Sequence, residues 1–190
     1  MTGPGAGVDD QALVEALVSS QRLGMLGDRP IAEVIQHAGA FVDALASTTG
    51  TVVDLGSGGG VPGLVIARAR PDLLVVLVDR RATRADHLRR LVLRLDLSER
   101  AEVHAVDARR LATTFGRRAD AVVARGFGPP AETLRCAAPL LADDGVIVVS
   151  EPPNPAADRW PPTTLDEVGV ERAPGDDPRV ALFRRPRCFT

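Results

Sequence analysis

The sequence predicts an α/β fold of three layers, in which helices cover both faces of a mostly parallel seven-stranded sheet with a C-terminal antiparallel hairpin. From Thr51 onward, short apolar runs alternate with stretches of helical periodicity, which is typical of parallel strands joined by helices. The chain ends in two further β-like runs that are separated by a turn. Its 190 residues suit one domain with a sizeable core.

The N-terminal part is expected to be helical and to precede the sheet. Residues 1–8 are expected to form a flexible tail, and residues 9–48 to form two helices. The first helix runs from about Gln11 to Ser20, with Asp10 as its cap. The second begins after Asp28 and carries a continuous apolar stripe, which gives it a face to bury.

The remaining residues, 49–190, are expected to form the α/β unit. Parallel strands are predicted near 51–55, 73–78, 102–106, 120–124 and 145–150. Helices are predicted near 62–69, 82–96 and 131–141, a proline-rich loop or cover at 152–162, and the hairpin strands at Glu167–Arg172 and Arg179–Arg184. A last strand inserted antiparallel is typical of Rossmann-like class I methyltransferases, whereas a dinucleotide-binding dehydrogenase normally continues with a sixth parallel strand.

Composition argues against several classes of protein. The formal net charge of -2 and the near absence of aromatic residues, with no Tyr and one Trp, provide neither a global attraction for nucleic acid nor stacking platforms for bases. Cys136 and Cys188 lack the spacing of a metal site or a disulfide framework, so no metal is predicted. The start of the chain lacks the features of a signal peptide, and no apolar run suits a membrane span. A cytoplasmic protein without a membrane partner is therefore expected.

The strongest signal is the glycine-rich segment Thr51–Gly63, which follows the first strand and opens a helix. Glycines there let the backbone adopt positive φ and let a ligand approach closely. The segment also satisfies G-x-G-x-x-G at residues 58–63, a weak pattern that nicotinamide cofactors share, and a tight turn without a ligand is a further alternative. An acidic residue before the first glycine favours S-adenosyl-L-methionine, because a pyrophosphate disfavours negative charge at that place. The candidate cofactor contacts in the segment are Asp54, Gly56, Ser57, Gly58 and Gly60.

Polar residues after the next three strands complete the candidate site. Asp79 follows the second strand, where a carboxylate can accept hydrogen bonds from both ribose hydroxyls, and Arg80 beside it is a further candidate contact. Asp107 and Ala108 follow the third strand, where a carboxylate and a backbone amide can bind an adenine ring. Arg125 follows the fourth strand and is the candidate catalytic residue, because it can orient a substrate carbonyl or phosphate, or contact the cofactor carboxylate. Helix capping by either aspartate and a surface role for the arginine are the alternatives.

The segment Asp54–Gly63 resembles the signature of the glucose-inhibited division protein B family, the RsmG-type methyltransferases of small-subunit ribosomal RNA. The proline and glycine that close the segment are fairly specific to that family. The other similar segments are Arg22–Gly27, His37, Val123–Phe127 and Ala138–Leu141.

The resemblance implies a class I methyltransferase fold, S-adenosyl-L-methionine as cofactor and guanine N7 of ribosomal RNA as methyl acceptor. It also implies that the site residues include Gly56, Gly58, Gly60, Asp79 and Arg125. Glu151 stands where the family has a lysine, a reversal of charge at a place where an RNA phosphate is expected. Three hypotheses remain: an RNA guanine-N7 methyltransferase, a methyltransferase for a small-molecule acceptor, and a noncatalytic S-adenosyl-L-methionine-binding module.

Overall fold

The computed structural model describes residues 10–186, so the predicted tail at 1–8 lies outside the described residues. Within that range the strands are β1 Gly50–Leu55, β2 Leu73–Val78, β3 Ala101–His104, β4 Ala119–Ala124, β5 Leu141–Ser150, β6 Glu171–Ala173 and β7 Val180–Arg184. The helices are α1 Gln11–Arg22, α2 Ile31–Ala44, α3 Gly63–Ala69, α4 Ala82–Arg94, α5 Ala108–Phe115, α6 Pro130–Ala137 and α7 Pro162–Val168. A 3-10 turn at Ala138–Leu140 joins α6 to β5.

The seven strands form one sheet in the order β3-β2-β1-β4-β5-β7-β6. Strands β1 to β5 pair in parallel, and β7 lies antiparallel between β5 and β6, with Phe183 opposite both Ile147 and Arg172. This arrangement confirms the predicted fold class and its inserted antiparallel strand. Because β1 pairs with β2 on one side and β4 on the other, the strand order reverses at β1, and ligands of open α/β sheets bind at such a point.

Each face of the sheet has its own apolar core, since neighbouring residues of a strand point to opposite faces. Val52 packs with the helices α1 to α4, whereas Val53 packs with α5, α6 and the start of the C-terminal segment. The strand residues Val52, Val53, Val122 and Val123 are fully buried. Burial on both faces explains why the strands read as nearly continuous apolar runs in the sequence.

The N-terminal helices pack on the sheet unit through polar contacts as well as apolar ones. Asp10 caps α1 as predicted, because its carboxylate accepts a hydrogen bond of 3.1 Å from the Leu13 amide. Ser20 at the end of α1 hydrogen-bonds His87 of α4 at 2.9 Å. The connector between α1 and α2, residues 23–30, is held by the side-chain amide of Gln21. Its Nε2 donates to the Gly27 and Arg29 carbonyls at 2.6 and 2.8 Å.

Three details of the predicted elements are wrong. The expected strand at Glu167–Arg172 is partly helix, because α7 continues to Val168 and ends at Gly169 in the left-handed conformation, after which β6 begins. The helix expected at 131–141 ends at Ala137, since Pro139 cannot continue an α-helix. Helix α5 has no counterpart among the predicted helices, and its short length explains the weak periodicity.

We expect Asp10→Ala to lower the free energy of unfolding by about 1 kcal/mol, the usual contribution of an N-cap. Asp10 also pairs with Arg68, whose Nε and Nη2 both lie 2.7 Å from its Oδ2; because the Arg68 side chain is one-third exposed, we expect this pair to contribute less than the cap. Urea denaturation measures the change. Asp10→Ser keeps the capping oxygen and should recover most of the loss, and equal losses in the two variants would assign the effect to the ion pair instead.

Candidate active site

The turn after β1 is fastened to the end of β2 by Ser57. The Ser57 amide donates to the Val78 carbonyl at 2.9 Å, and the Ser57 hydroxyl accepts from the Val78 amide at 3.0 Å. The same hydroxyl donates to the Asp54 carbonyl at 2.9 Å. Ser57 is 2% exposed, and these three hydrogen bonds fix the position of the glycine turn relative to β2.

The glycines of this turn serve two different purposes. A Cβ at Gly59 would lie 2.5 Å from Leu26 Cγ, one at Gly60 would lie 2.4 Å from Leu64 Cδ1, and one at Gly63 would lie 2.2 Å from Leu77 Cδ2. These three are glycine because the protein packs against them. Gly56, at φ 68°, borders an open cleft and faces the ring of Phe127. The number of glycines is therefore explained by packing at Gly59, Gly60 and Gly63 and by positive φ at Gly58 and Gly60, and of the turn only Gly56 lines the cleft.

Asp54 is a buried carboxyl group behind the turn, 1% exposed. Its Oδ2 accepts a hydrogen bond of 3.0 Å from the Gly63 amide, and its Oδ1 has no partner among the described residues. Burial raises the pKa of Asp54 to about 7, against the opposing effects of Ser57, the Gly63 amide and the charge of Arg125. Asp54 therefore positions the start of α3 and can change its charge near neutral pH.

Asp79 ties the turn to the start of α4. Its Oδ2 accepts from the Gly58 amide at 3.0 Å, and its Oδ1 accepts from the Arg81 amide at 2.9 Å. Arg84 lies 3.9 Å from Oδ2 and balances the charge. Since each carboxylate oxygen can accept more than one hydrogen bond, these contacts leave acceptor capacity on the side that borders the cleft. For Asp79, the contact with the start of α4 and the hydrogen bonding to a ligand that the sequence suggested as alternatives are thus compatible.

Asp107, which follows β3, likewise combines a capping role with a place at the cleft. It is the N-cap of α5, and its Oδ1 accepts a hydrogen bond of 3.0 Å from the Arg109 amide. It also borders the cleft together with Val106 and Ala108. Asp79 and Asp107 therefore line a common space.

That space is a cleft of about 400 Å³ at the carboxyl ends of β1, β2 and β3. Five of the residues chosen from the sequence line it: Gly56, Asp79, Arg80, Asp107 and Ala108. Four lie behind its wall and shape it: Asp54, Ser57, Gly58 and Gly60. Phe127 and Arg84 also line it, and the sequence prediction missed both. Phe127 is one of only 5 phenylalanines and stands two residues after Arg125, a signal that could have been used.

A second cavity, of about 710 Å³, lies beside the cleft and shares Gly126 and Gly128 with it. Arg125 lines this cavity and not the cleft. Burial lowers the pKa of the Arg125 guanidinium, while the nearby charge of Asp54 raises it. The described residues provide no hydrogen-bond or ion-pair partner for Arg125, so its charge is available to a ligand.

The second cavity is rich in cations that come from distant parts of the chain. Its charged residues are Arg29, Glu33, Arg125, Glu151, Arg159 and Arg179. His37 of α2 also lines it, and its pKa is lowered by burial first and then by Arg125, Arg179 and Arg29. The sequence prediction assigned no role to three of the four arginines, because only the fold brings them together. An excess of positive charge in a concave site suits an anionic ligand.

Glu151 does not present the free negative charge that the sequence suggested. It is 6% exposed, and Arg159 Nε lies 2.7 Å from its Oε2. The Trp160 indole donates to its Oε1 at 2.6 Å. The reversal of charge at this position is therefore neutralised within the protein.

Within residues 10–186, no group of three His, Cys, Asp or Glu side chains is arranged to hold a metal ion. No helix in that range is both long and apolar enough to cross a membrane.

Comparisons with known proteins agree with this geometry. The family model GidB, described as rRNA small subunit methyltransferase G, matches residues 13–152. A ribosomal RNA small subunit methyltransferase G from Erythrobacter litoralis is 37% identical over 127 residues, which cover 67% of this chain and 58% of that protein. One from Beutenbergia cavernae is 32% identical over 151 residues, covering 78% of this chain and 67% of that protein. Against several curated relatives the chain spans about half of their length, 42% in Salinispora tropica and 50% in Chromobacterium violaceum.

Solved structures share the fold at low sequence identity. A putative S-adenosyl-L-methionine-dependent methyltransferase from Methanococcus maripaludis has a TM-score of 0.66 at 16% identity, covering 90% of this chain and 94% of that one. The mitomycin 7-O-methyltransferase MmcR has a TM-score of 0.61 at 18% identity, covering 93% of this chain and 68% of that one. At these identities the similarity establishes a methyltransferase-type fold alone.

The raised pKa of Asp54 predicts a stability that falls as pH rises. In the unfolded chain Asp54 ionises at its ordinary pKa of about 3.9, whereas in the folded protein it holds its proton up to pH of about 7. The free energy of unfolding should therefore decrease by up to about 1.4 kcal/mol per pH unit between these values and level off above the upper one.

Asp54→Asn removes this titration and serves as the reference. Urea denaturation of both proteins at pH 5, 6, 7 and 8 measures the difference between their unfolding free energies, in which the other titrating groups cancel. We expect the free energy of unfolding of Asp54→Asn, relative to that of the wild type, to increase with pH up to pH 7. Parallel curves for the two proteins would show that the folded carboxyl is already ionised at pH 5.

Proposed function

This chain belongs to the GidB family, and on that premise we propose that it is an S-adenosyl-L-methionine-dependent methyltransferase acting on small-subunit ribosomal RNA. The observation that carries the proposal is that two spaces adjoin at Gly126 and Gly128, a cleft lined by Asp79 and Asp107 and a larger cavity in which four arginines outnumber two glutamates. The family match over residues 13–152 includes most of both. Such a protein would act in the cytoplasm, where bacterial ribosomes are made.

The residues of the cleft suit S-adenosyl-L-methionine. Gly56 lacks a side chain where one would collide with Phe127 and narrow the cleft, since a Cβ there would lie 2.8 Å from the ring. Asp79 has spare acceptor capacity for two vicinal hydroxyls, and Val106, Ala108 and Phe127 provide apolar surface for an adenine. When bound, this cofactor supplies a methyl group on a positively charged sulfur, which an acceptor lone pair can take in one displacement.

Each predicted contact has a proposed task within this scheme. Asp79 binds the ribose, Asp107 and the Ala108 amide bind the adenine, and Gly56 allows the amino-acid part to approach the backbone. Ser57, Gly58 and Gly60 hold the turn in shape, and Asp54 fixes the start of α3. Arg80 is exposed at the rim of the cleft, where it can contact the cofactor from outside.

Guanine N7 is the proposed acceptor atom, and methyl transfer to it requires no general base. Its lone pair is free at neutral pH, so transfer requires alignment and exclusion of water, without removal of a proton beforehand. We assign the acceptor to the second cavity, which is called the acceptor cavity below. Arg125 lines it next to the two glycines that the cleft and the cavity share. We assign to it the orientation of the acceptor base or its phosphate, the role expected of the catalytic residue.

We expect Asp79→Asn to weaken binding of S-adenosylhomocysteine by about tenfold to a hundredfold, the usual cost of losing hydrogen bonds to a charged group. Calorimetry measures the dissociation constant, and Asp86→Asn, at an exposed position of the neighbouring helix α4, is the matched control. Because Asp79 also holds the glycine turn, the 2′-deoxy analogue of the ligand is titrated as well. A ribose contact predicts a smaller loss for that analogue, and equal losses for both ligands would assign Asp79 a structural role only.

The acceptor is tested by transfer of a tritiated methyl group to small-subunit ribosomal RNA from cells that lack the family's enzyme. We expect the protein to label this RNA at guanine N7, detected as strand cleavage by aniline after borohydride reduction. Arg125→Ala should reduce the rate at least tenfold while leaving the affinity for S-adenosylhomocysteine unchanged. Tight binding of the cofactor product without any labelling would indicate a different acceptor, and binding of NAD alone would overturn the cofactor assignment.

A further inference from the structure

The segment between β5 and α7, residues 152–161, forms one side of the acceptor cavity and is here named the strap. Pro152, Pro153 and Arg159 of the strap line the cavity. The strap includes four prolines, at positions 152, 153, 155 and 161, which restrict its backbone. A segment restricted in this way holds a side chain in position at a smaller entropic cost than a flexible loop does.

Trp160 anchors the strap to the sheet. Its side chain is 8% exposed and its ring lies edge-on against that of Phe183 in β7, with 4.7 Å between the ring centroids. Its indole donates a hydrogen bond of 2.6 Å to Glu151 at the end of β5. Since both partners are buried, this hydrogen bond fixes the end of the strap close to the cavity.

Arg159 is held on the same carboxylate. Its Nε lies 2.7 Å from Glu151 Oε2 as an ion pair without hydrogen-bond alignment, and its guanidinium lies 5.1 Å from the centre of the Trp160 ring. The outer nitrogens have one weak contact, 3.5 Å to the Ser150 carbonyl, and the side chain is 24% exposed. The inner edge of the guanidinium therefore faces the Glu151 carboxylate as an ion pair, whereas the outer edge remains available in the cavity.

The balance of charge favours an anion at that outer edge. Four arginines and two glutamates line the cavity, and one of the glutamates is the buried partner of Arg159. Arg172 lies 3.6 Å from the other oxygen of Glu151, so the buried carboxylate has a second cation and does not depend on Arg159 alone. An internal ion pair thus does not account for why Arg159 projects into the cavity.

We propose that Arg159 binds a phosphate of the RNA acceptor, and that Glu151 and Trp160 are positioning residues that aim it. This inference rests on the proposed function, because it assumes that the cavity receives a nucleotide of an RNA strand. A guanidinium with a free outer edge can bind two oxygens of a phosphodiester at once. The cavity volume of about 710 Å³ exceeds what a single phosphate needs, which favours a nucleotide within a strand over free phosphate.

The test compares Arg159→Ala with Arg172→Ala. Both remove a cation beside Glu151, but Arg172 is exposed and lies on a different groove. RNA binding is measured over a series of salt concentrations, with the holoenzyme saturated in S-adenosylhomocysteine. We expect Arg159→Ala to weaken binding about tenfold and to reduce the slope of log affinity against log salt by about 0.7 to 1, the loss of one phosphate contact. Arg172→Ala should change neither quantity.

Two further variants separate positioning from folding. Arg159→Lys keeps the charge without the forked geometry, so it should retain the slope and lose part of the affinity. Glu151→Gln should weaken RNA binding through Arg159 and should add no further loss in a protein that already has Arg159→Ala. If Arg159→Ala does not fold, as circular dichroism reports, Arg159→Gln takes its place. Fully additive losses in the double variant would overturn the positioning role of Glu151.

The outcomes distinguish this inference from the proposed function. A wild-type protein that neither binds S-adenosylhomocysteine nor labels ribosomal RNA would contradict the function itself. A wild-type protein that does both, with an unchanged salt slope in Arg159→Ala, would overturn the role of the strap alone. Inorganic phosphate at millimolar concentration can also be used to displace the RNA. If it displaces RNA equally well from the wild type and from Arg159→Ala, the phosphate site lies elsewhere, and the role of the strap is overturned.

Discussion

Three hydrogen bonds join the turn after β1 to the end of β2, where Ser57 and Gly58 meet Val78 and Asp79. They extend the pairing of the two strands beyond the sheet and fix the backbone of Gly56 at the edge of the cleft. Because the groups involved are buried, the bonds are not in competition with water, and losing one would leave an unsatisfied polar group. The cleft that we propose for the cofactor therefore depends on a local corner of the sheet that these bonds make rigid.

The second cavity, the proposed acceptor site, is built differently, from parts of the chain that are far apart in sequence. Arg29 comes from the N-terminal connector, Arg125 from the end of β4, Arg159 from the strap and Arg179 from the approach to β7. Their mutual repulsion is relieved by Glu151 and by Asp177, which pairs with Arg179 at 2.5 Å. The cavity thus holds positive charge that the fold has partly compensated, a charge pattern suited to a polyanion even though the whole chain is slightly acidic.

This difference explains what the sequence could predict. The turn at Asp54–Gly63 is local, so its residue pattern alone located the candidate cleft, and the alternation of strands and helices predicted the mostly parallel sheet. Arg159 could not be assigned, because its place in the cavity depends on contacts with Glu151 and Trp160 that exist only in the folded chain. Glu151 was misjudged for the same reason, since sequence alone shows its charge and not its neutralising partner. The hairpin strand at Glu167–Arg172 was misplaced because Gly169, which ends a helix there, reads equally well as a strand turn.

The contact between Leu26 and Gly59 ties the N-terminal helices to the cofactor turn. Leu26 belongs to a connector with little burial, and such segments open locally at a smaller free-energy cost than a core strand. Each opening would remove the cover from the turn, so only molecules with a closed connector are fully competent. The apparent dissociation constant for a ligand of the turn then equals the intrinsic one divided by the closed fraction, so residues 23–30 affect affinity at the turn through the cover that Leu26 provides for Gly59.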